Sequence, residues 1–467
     1  MGFKLFENEE NTESFTTAPS QLDMLSIEEA TIELNNEMLA IESMFQAMDT
    51  GNEQLEVLSR TLAVENMLTP EMLSDRAFIA LSTVNFDNIK QSLGYVSTNT
   101  VAAEDMTTLS VEEKMNVFRE LINGLKKLYL KVLAAIKKFF VNLVHNGKNL
   151  DAKLGILLKE AEDKKSTYTV IENELVFEKI ISKFKTVTTV MPISGYSSAL
   201  DLMDTILDNI NNPLDVNSIA SISADSITSK IKEIAQEGAL KAADKRNSEN
   251  AQKYGHKIDS DAEYKYYTNV YKEIYDKLSK ESHTLYFTEA LVNGYDNEFK
   301  VNNKFKIAGY ATRYDGDHLH GVVVEDHSLN GGKTEFSKMK YYKMDSVGTG
   351  KNSKNANSYD DVLKAFQDKK VSYDDIRAML KKIKQPSLKI KELIKDGEIA
   401  LDKGNYILNT ISEINLRNEN GENRGLNDLI TNTLDIIPKV TNANVINYHN
   451  NLSNIFYVLS EYIKVND

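Results

Sequence analysis

Apolar side chains recur at intervals of three and four residues between residues 113 and 144 of this 467-residue chain. This spacing places them along one side of an α-helix, which has 3.6 residues per turn. Similar spacing recurs over most of the chain, and a region near residues 286–345 departs from it. The sequence therefore predicts a mainly α protein with a multi-helix body.

The other side of the predicted helix 113–144 is basic. A basic amphipathic helix can bind nucleic acid or an anionic membrane surface. The same pattern is typical of a core helix whose lysines face solvent, so both interpretations stay open. The candidate contact residues are Lys126, Lys127, Lys131, Lys137 and Lys138.

Residues 286–345 contain short β-branched and aromatic runs separated by Asn-Gly, Asp-Gly and Gly-Gly pairs. These pairs are typical of hairpin turns, so we expect a small antiparallel sheet inserted in the helical body. Asp317, His318 and His320 are candidate metal ligands, because the two histidines share one face of a strand and zinc binds imidazole and carboxylate groups. An exposed turn explains the same residues, and a metal-dependent enzyme using the hairpin 315–327 is an alternative function.

The predicted elements divide the chain into four segments. They are an acidic helical segment 1–104, a helical domain 105–285 that begins with the basic helix, a β region 286–347, and a C-terminal helical domain 359–467. In the last domain the sequence predicts helices over Tyr359–Asp368, Ser372–Lys384, Ser387–Lys403, Asn405–Leu416, Leu426–Ile437 and Asn444–Val465.

Several classes of protein are disfavoured by what the sequence lacks. It has no cysteine, which excludes disulfides, thiolate metal sites and a cysteine nucleophile. It has no phosphate-binding loop, dinucleotide fingerprint, HExxH motif or GxSxG motif. No apolar run is long enough to span a membrane. We therefore expect no enzymatic activity, no cofactor and no integral membrane association.

Charge is distributed very unevenly along the chain. The net charge is −14. Residues 1–104 contain 18 acidic and 4 basic residues, which leaves 51 of each sign in the remainder. The whole formal charge therefore lies in the first segment, which is typical of an acidic arm or a removable segment and is also compatible with a small acidic helical domain.

A small residue stands two positions before a glutamate unusually often in this first part. This triplet ends at six of the 15 glutamates up to residue 112, but at only two of the 23 that follow. The six are Glu28, Glu42, Glu53, Glu65, Glu104 and Glu112. A protease with a small pocket and a cationic pocket would recognise such triplets. Ser110 and Glu113 form a capping box for the predicted basic helix, so Glu112 ranks below Glu104 as a cleavage site.

An acidic leader with Ser/Ala/Gly-x-Glu triplets, followed by a mostly helical body without cysteine, resembles the internal head proteins of phiKZ-like giant phages. The resemblance implies a precursor whose propeptide directs it into the procapsid. The phage prohead protease would then cut after Glu104, with Glu65, Glu42, Glu28 and Glu112 as further candidates.

The resemblance also implies a location inside the capsid of the virion. There the mature structural protein would lie in the inner body with other internal head proteins and packaged double-stranded DNA, and it could enter the host cytoplasm on injection. The alternative that depends on the residues alone is a peripheral membrane-binding or DNA-binding protein acting through the helix 113–144.

Overall fold

Eight helices and five strands form the part of the chain that the computed structural model describes. The described residues are 111–183, 198–247, 260–278, 305–312, 318–326, 336–345, 369–413 and 424–465. The helices are α1 (Val111–Asp163), α2 (Glu174–Ser182), α3 (Ala199–Asn211), α4 (Val216–Asn247), α5 (Ser260–Leu278), α6 (Tyr373–Lys382), α7 (Pro386–Glu413) and α8 (Arg424–Lys464). The strands are β1 (Tyr168–Thr169), β2 (Phe305–Thr312), β3 (His318–Asp326), β4 (Phe336–Asp345) and β5 (Val371–Ser372).

The mainly α class with a small antiparallel sheet is confirmed. Strands β2, β3 and β4 pair in that order, and both pairings are antiparallel. Val322 and Val324 on β3 and Met339 on β4 are fully buried, because this side of the sheet packs on α5 and α8. The first predicted run, residues 286–299, lies outside the described residues. A second antiparallel pair, β1 with β5, was not predicted.

Helix α8 lies at the centre of the body. It contacts α1, α3, α4, α5, α7 and the three-stranded sheet, and nearly all of its side chains from residue 433 to residue 460 are buried. The buried apolar residues of α1, α4, α7 and α8 belong to one continuous core. Helices from the predicted segments 105–285 and 359–467 therefore share that core, while the segment boundaries themselves stay a prediction.

An all-round buried helix is usually apolar on all sides, yet α8 carries many amides. Two of these amides donate to backbone carbonyls in the segments that follow other helices. Asn444 donates to the Leu214 carbonyl between α3 and α4 at 2.8 Å, and Asn454 donates to the Lys183 carbonyl after α2 at 3.4 Å. Asn451 donates to Asn447 within α8 at 2.6 Å. Asparagine side chains of α8 thus form hydrogen bonds with the backbone of two neighbouring segments.

Pro438 lies inside α8, although the sequence predicts that one helix ends at Ile437 and another begins at Asn444. That break is wrong. A proline has no backbone N–H, so the carbonyl four residues earlier loses its helical partner. That carbonyl belongs to Leu434, and the buried hydroxyl of Tyr129 on α1 donates to it at 2.8 Å. The side chain of α1 therefore replaces the hydrogen bond that Pro438 removes.

The tyrosine is suited to this bond. Burial, with a further contribution from the charge of Asp435, raises the pKa of Tyr129, so its hydroxyl stays protonated and remains a donor. Asp435 itself lies 2.8 Å from the Nζ atom of Lys439, one turn along α8 and on the other side of Pro438. Helix α8 is thus supported across the proline by a tertiary hydrogen bond and by an ion pair within the helix.

Two further predicted helix ends are wrong for a related reason. The first helix does not end near Val144 but continues through Gly147 to Asp163, and Gly404 lies inside α7. A Cβ atom at Gly147 would come within 3.0 Å of the Ser387 Cα atom, so the glycine allows α1 and α7 to approach closely. Gly404 is buried next to Ile437 of α8. Core packing outweighs the roughly 1 kcal/mol that a glycine costs in a helix.

The predicted helix Ser372–Lys384 is confirmed as α6, with Ser372 as its cap. The Ser372 hydroxyl accepts from the Asp375 backbone N–H at 3.0 Å. The predicted helix Tyr359–Asp368 lies outside the described residues.

Replacing Tyr129 with phenylalanine should lower the free energy of unfolding by about 1–3 kcal/mol, because the Leu434 carbonyl is then buried without a partner. In a Pro438→Ala background the same change should cost less, since the alanine N–H can bond this carbonyl. Urea unfolding of the four proteins in this cycle measures the coupling. Tyr406→Phe, at an exposed tyrosine of α7, is the matched control and should have little effect. Equal losses in both backgrounds would contradict the assigned role.

Candidate nucleic-acid interface

Exposed lysines form a stripe along α1 on the side that faces away from the core. The lysine stripe consists of Lys127, Lys131, Lys138, Lys148 and Lys159, all of which are exposed. At 3.6 residues per turn these five positions fall within about 100° of the helix circumference. They extend over about 48 Å along the helix, at 1.5 Å per residue.

The opposite side of α1 is buried against α7 and α8. Leu133, Ile136 and Phe140 are at most 5% exposed, and Leu154 continues this apolar side past Gly147. Among the side chains of α1 that the structure describes from Lys126 onward, these apolar residues thus already belong to the core, and the lysines lie on the exposed side.

Two of the five predicted contact lysines do not belong to the stripe. Lys126 is 8% exposed, because it lies three residues before the buried Tyr129, at the edge of the buried side. The Nζ atom of Lys137 lies 2.6 Å from the Oδ1 atom of Asp402 on α7. Lys126 is therefore wrong as a surface contact, and Lys137 connects two helices at the edge of the stripe.

Lys148 and Lys159 were missed because the predicted helix ended near Val144. The signal for them was present in the sequence. The apolar spacing continues after Gly147 with Leu150, Leu154 and Leu157, all of which are buried. Extending the helix over these leucines would have placed both lysines on the same side as Lys127 and Lys138.

Acidic groups are almost absent from this part of α1. Between Lys126 and Lys159 the helix contains eight lysines and a single acidic residue, Asp151. The Oδ1 atom of Asp151 accepts from the Ser387 backbone N–H at 3.0 Å, at the first turn of α7. The carboxylate thus satisfies an N-terminal N–H group of another helix. A strongly positive stripe therefore lies on a body whose charges balance in total, and it suits a polyanion.

One lysine of α6 lies close to two carboxylates of α3. Lys382 on α6 lies 2.7 Å from Asp204 and 2.8 Å from Asp208, both on α3. These hydrogen bonds raise the pKa of Lys382 in spite of its partial desolvation. The pair connects α6 with α3, and we assign it a structural role.

The predicted metal ligands are only partly described. Asp317 lies outside the described residues, and His318 and His320 begin β3, opposite Asp345 and Lys343 of β4 in the strand register. Within the described ranges, no group of three or more histidine and carboxylate residues could hold a metal ion. Metal binding by this hairpin stays a prediction.

The predicted cleavage sites fall at the start of the described structure or before it. Glu112 is the second residue of α1. Glu28, Glu42, Glu65 and Glu104 lie outside the described residues, as does the predicted cap Ser110. Glu104 precedes the first residue of α1, Val111, by seven positions.

The chain has no match among protein-family models, curated proteins or solved structures. Of the helices that the structure describes, none is both long enough and apolar enough to span a membrane. The interpretation of the site therefore depends on its own geometry.

A second group of polar residues lies inside the body, around His449 of α8. The imidazole Nδ1 atom lies 3.4 Å from the Oδ1 atom of Asn450, and both residues are 1% exposed. Burial lowers the pKa of His449 to about 4, and the charge of Lys153 on α1 acts in the same direction, while the Asn450 hydrogen bond opposes them. This group is enclosed in the core, where the imidazole is neutral near pH 7.

His449 should make the protein less stable in mild acid. Its folded-state pKa is depressed, so between pH 6.5 and 4 the unfolded chain binds a proton that the folded chain does not. From pH 7 to pH 5 the free energy of unfolding should fall by about 2 kcal/mol through this group. Urea unfolding of the natural protein and of His449→Gln at both pH values tests this. The variant should lose less stability, and identical pH dependences would show that another group is responsible.

Proposed function

We propose that this chain is the precursor of a structural virion protein, an internal head component of a phage. In this proposal the acidic residues 1–104 direct it into the procapsid and are removed by cleavage after Glu104. The body from Asp105 onward stays inside the capsid with the packaged DNA. The lysine stripe is the surface through which the body contacts that DNA.

The lysine stripe is the observation that carries the proposal. It begins on the first helix of the body, shortly after the point where the accumulated charge of −14 ends. Removing residues 1–104 leaves a body with no net charge, which can be packed beside DNA at high density without strong overall attraction or repulsion. The stripe then supplies a local, sequence-independent attraction to phosphate groups.

The size of the stripe suits a duplex. The five lysines lie along about 48 Å of one continuous helix, the length of about 14 base pairs at 3.4 Å per pair. Lysine ammonium groups on flexible stems bind phosphates as point charges, without the geometric demands of base recognition. We therefore expect binding that depends strongly on salt and weakly on sequence.

The processing step has a direct test in phage particles. Mass spectrometry of the protein from mature particles should find an amino-terminal peptide that begins at Asp105. Peptides from residues 1–104 should be depleted relative to those from residues 111–182. Peptides from residues 1–104 at full abundance in mature particles would refute the processing step.

The DNA contact is tested on protein that is first folded as the full chain. A specific-protease site replaces residues 99–104, and the acidic piece is removed after cleavage. We expect Lys127→Glu, Lys131→Glu and Lys138→Glu together to weaken binding and to lower the slope of log K against log salt by about 3, at roughly 0.9 per lost phosphate contact.

The matched control replaces three lysines that lie outside the stripe, so that the total change in charge is the same. Lys232 on α4 and Lys265 and Lys272 on α5 are exposed. Their triple replacement by glutamate should leave the slope nearly unchanged. Equal effects of the two triple variants would show that binding follows total charge and not the stripe.

A further inference from the structure

The same chain carries a strongly acidic segment, residues 1–104, and the strongly basic lysine stripe. We propose that residues 1–104 dock on the lysine stripe of their own chain and exclude polyanions until the cut after Glu104. The docking itself depends only on the described surface and on the charges of the sequence. Its biological timing rests on the proposed function.

Charge complementarity identifies the occupant. Residues 1–104 have 14 more acidic than basic residues, whereas the remainder of the chain is balanced. The lysine stripe lies on a segment of α1 with eight lysines and one carboxylate, and that carboxylate is bonded to Ser387. The stripe is therefore a surface whose charge matches an acidic partner.

The residues between Glu104 and α1 allow the acidic segment to reach the lysine stripe of its own chain. Val111 lies seven positions after Glu104, and seven steps of about 3.4 Å can span about 24 Å. Lys127 lies 16 residues into α1, a distance of about 24 Å along the helix. Residues near Glu104 can therefore reach the start of the stripe, and the preceding hundred residues are more than long enough to cover it.

An apolar patch beside the stripe fits the same occupant. Ile399 and Tyr406 on α7 are 41% and 52% exposed and lie seven residues apart on one face of the helix. Asp402 lies between them, and its ion pair with Lys137 places this face beside the stripe. The acidic segment has apolar residues at helical spacing, for example from Ser26 to Met48. An acidic amphipathic helix needs such a surface, with lysines next to exposed apolar groups.

Tethering explains how cleavage would act as a switch. While the segment is attached, its local concentration at the stripe is in the millimolar range for a short connection. After the cut the segment becomes a separate ligand that dilution can remove. A weak electrostatic contact is then sufficient to block the stripe before processing and insufficient afterwards.

Carbodiimide coupling of the intact chain, followed by mass spectrometry, tests the docking directly, because this reagent joins a carboxylate to an adjacent amine. We expect the cross-links of residues 1–104 to concentrate on Lys127, Lys131 and Lys138. They should fall severalfold at 0.5 M salt, where charges are screened within about 4 Å. In a mixture of isotope-labelled and unlabelled chains, each cross-link should join two labelled or two unlabelled peptides, as expected for contacts within one chain.

Two results would overturn the docking. One is an even spread of cross-links that includes the control lysines Lys232, Lys265 and Lys272. The other is a set of cross-links that join labelled to unlabelled chains, which would show binding between copies.

A second measurement tests the masking. In the chain with a protease site at residues 99–104, the affinity for a short duplex should rise about tenfold or more after cleavage and removal of the acidic piece. An unchanged affinity, with intact dependence on Lys127, Lys131 and Lys138, would refute masking while leaving the DNA contact in place. If replacing the three lysines had no effect on the affinity for DNA, the stripe would be refuted as the DNA contact. Cross-links concentrated on the three lysines would still support the docking of residues 1–104.

Discussion

The fold depends on a small number of hydrogen bonds that neighbouring elements make with one buried helix. Helix α8 is enclosed on nearly all sides, yet it contains a proline and a series of asparagines, and hydrogen bonds to it form in a low-dielectric interior where they are strengthened. Tyr129 bonds the carbonyl that Pro438 leaves open, Asn444 bonds a carbonyl in the connection between α3 and α4, and Asn454 bonds a carbonyl just after α2. A misplaced neighbour would leave a buried group without a partner, so these bonds fix how the helices are arranged as well as holding them.

The mainly α class, the antiparallel sheet and the cap at Ser372 could be predicted because each has a local cause in the sequence. Periodicity marks a helix, Asn-Gly and Asp-Gly pairs mark hairpins, and a hydroxyl before an acidic first turn marks a helix start. The three wrong helix ends, at Gly147, Gly404 and Pro438, also followed local rules. They failed because tertiary partners compensate for the local cost, and those partners are distant in sequence.

The same contrast holds for the candidate interface. Three of the five predicted lysines are on the stripe, because the 3.6-residue period separates lysine from leucine correctly. Lys126 lies on the boundary between the two sides, where periodicity alone does not decide burial. Lys137 is exposed in part, but its partner Asp402 is 265 residues away. The net charge of a protein is therefore a poor guide to its surface, since a balanced total includes a strongly basic strip.

The bond between Tyr129 and Leu434 has a consequence for biosynthesis, since its partners are separated by 305 residues. Helix α8 follows every other described element in the chain, so α1, α4 and α7 have no central helix to pack on until it is made. At about 5–20 residues per second, a ribosome needs roughly 15–60 s to travel from Tyr129 to Leu434. The core can thus form only late in translation, and a chain that stops before Arg424 would lack the helix around which it is built.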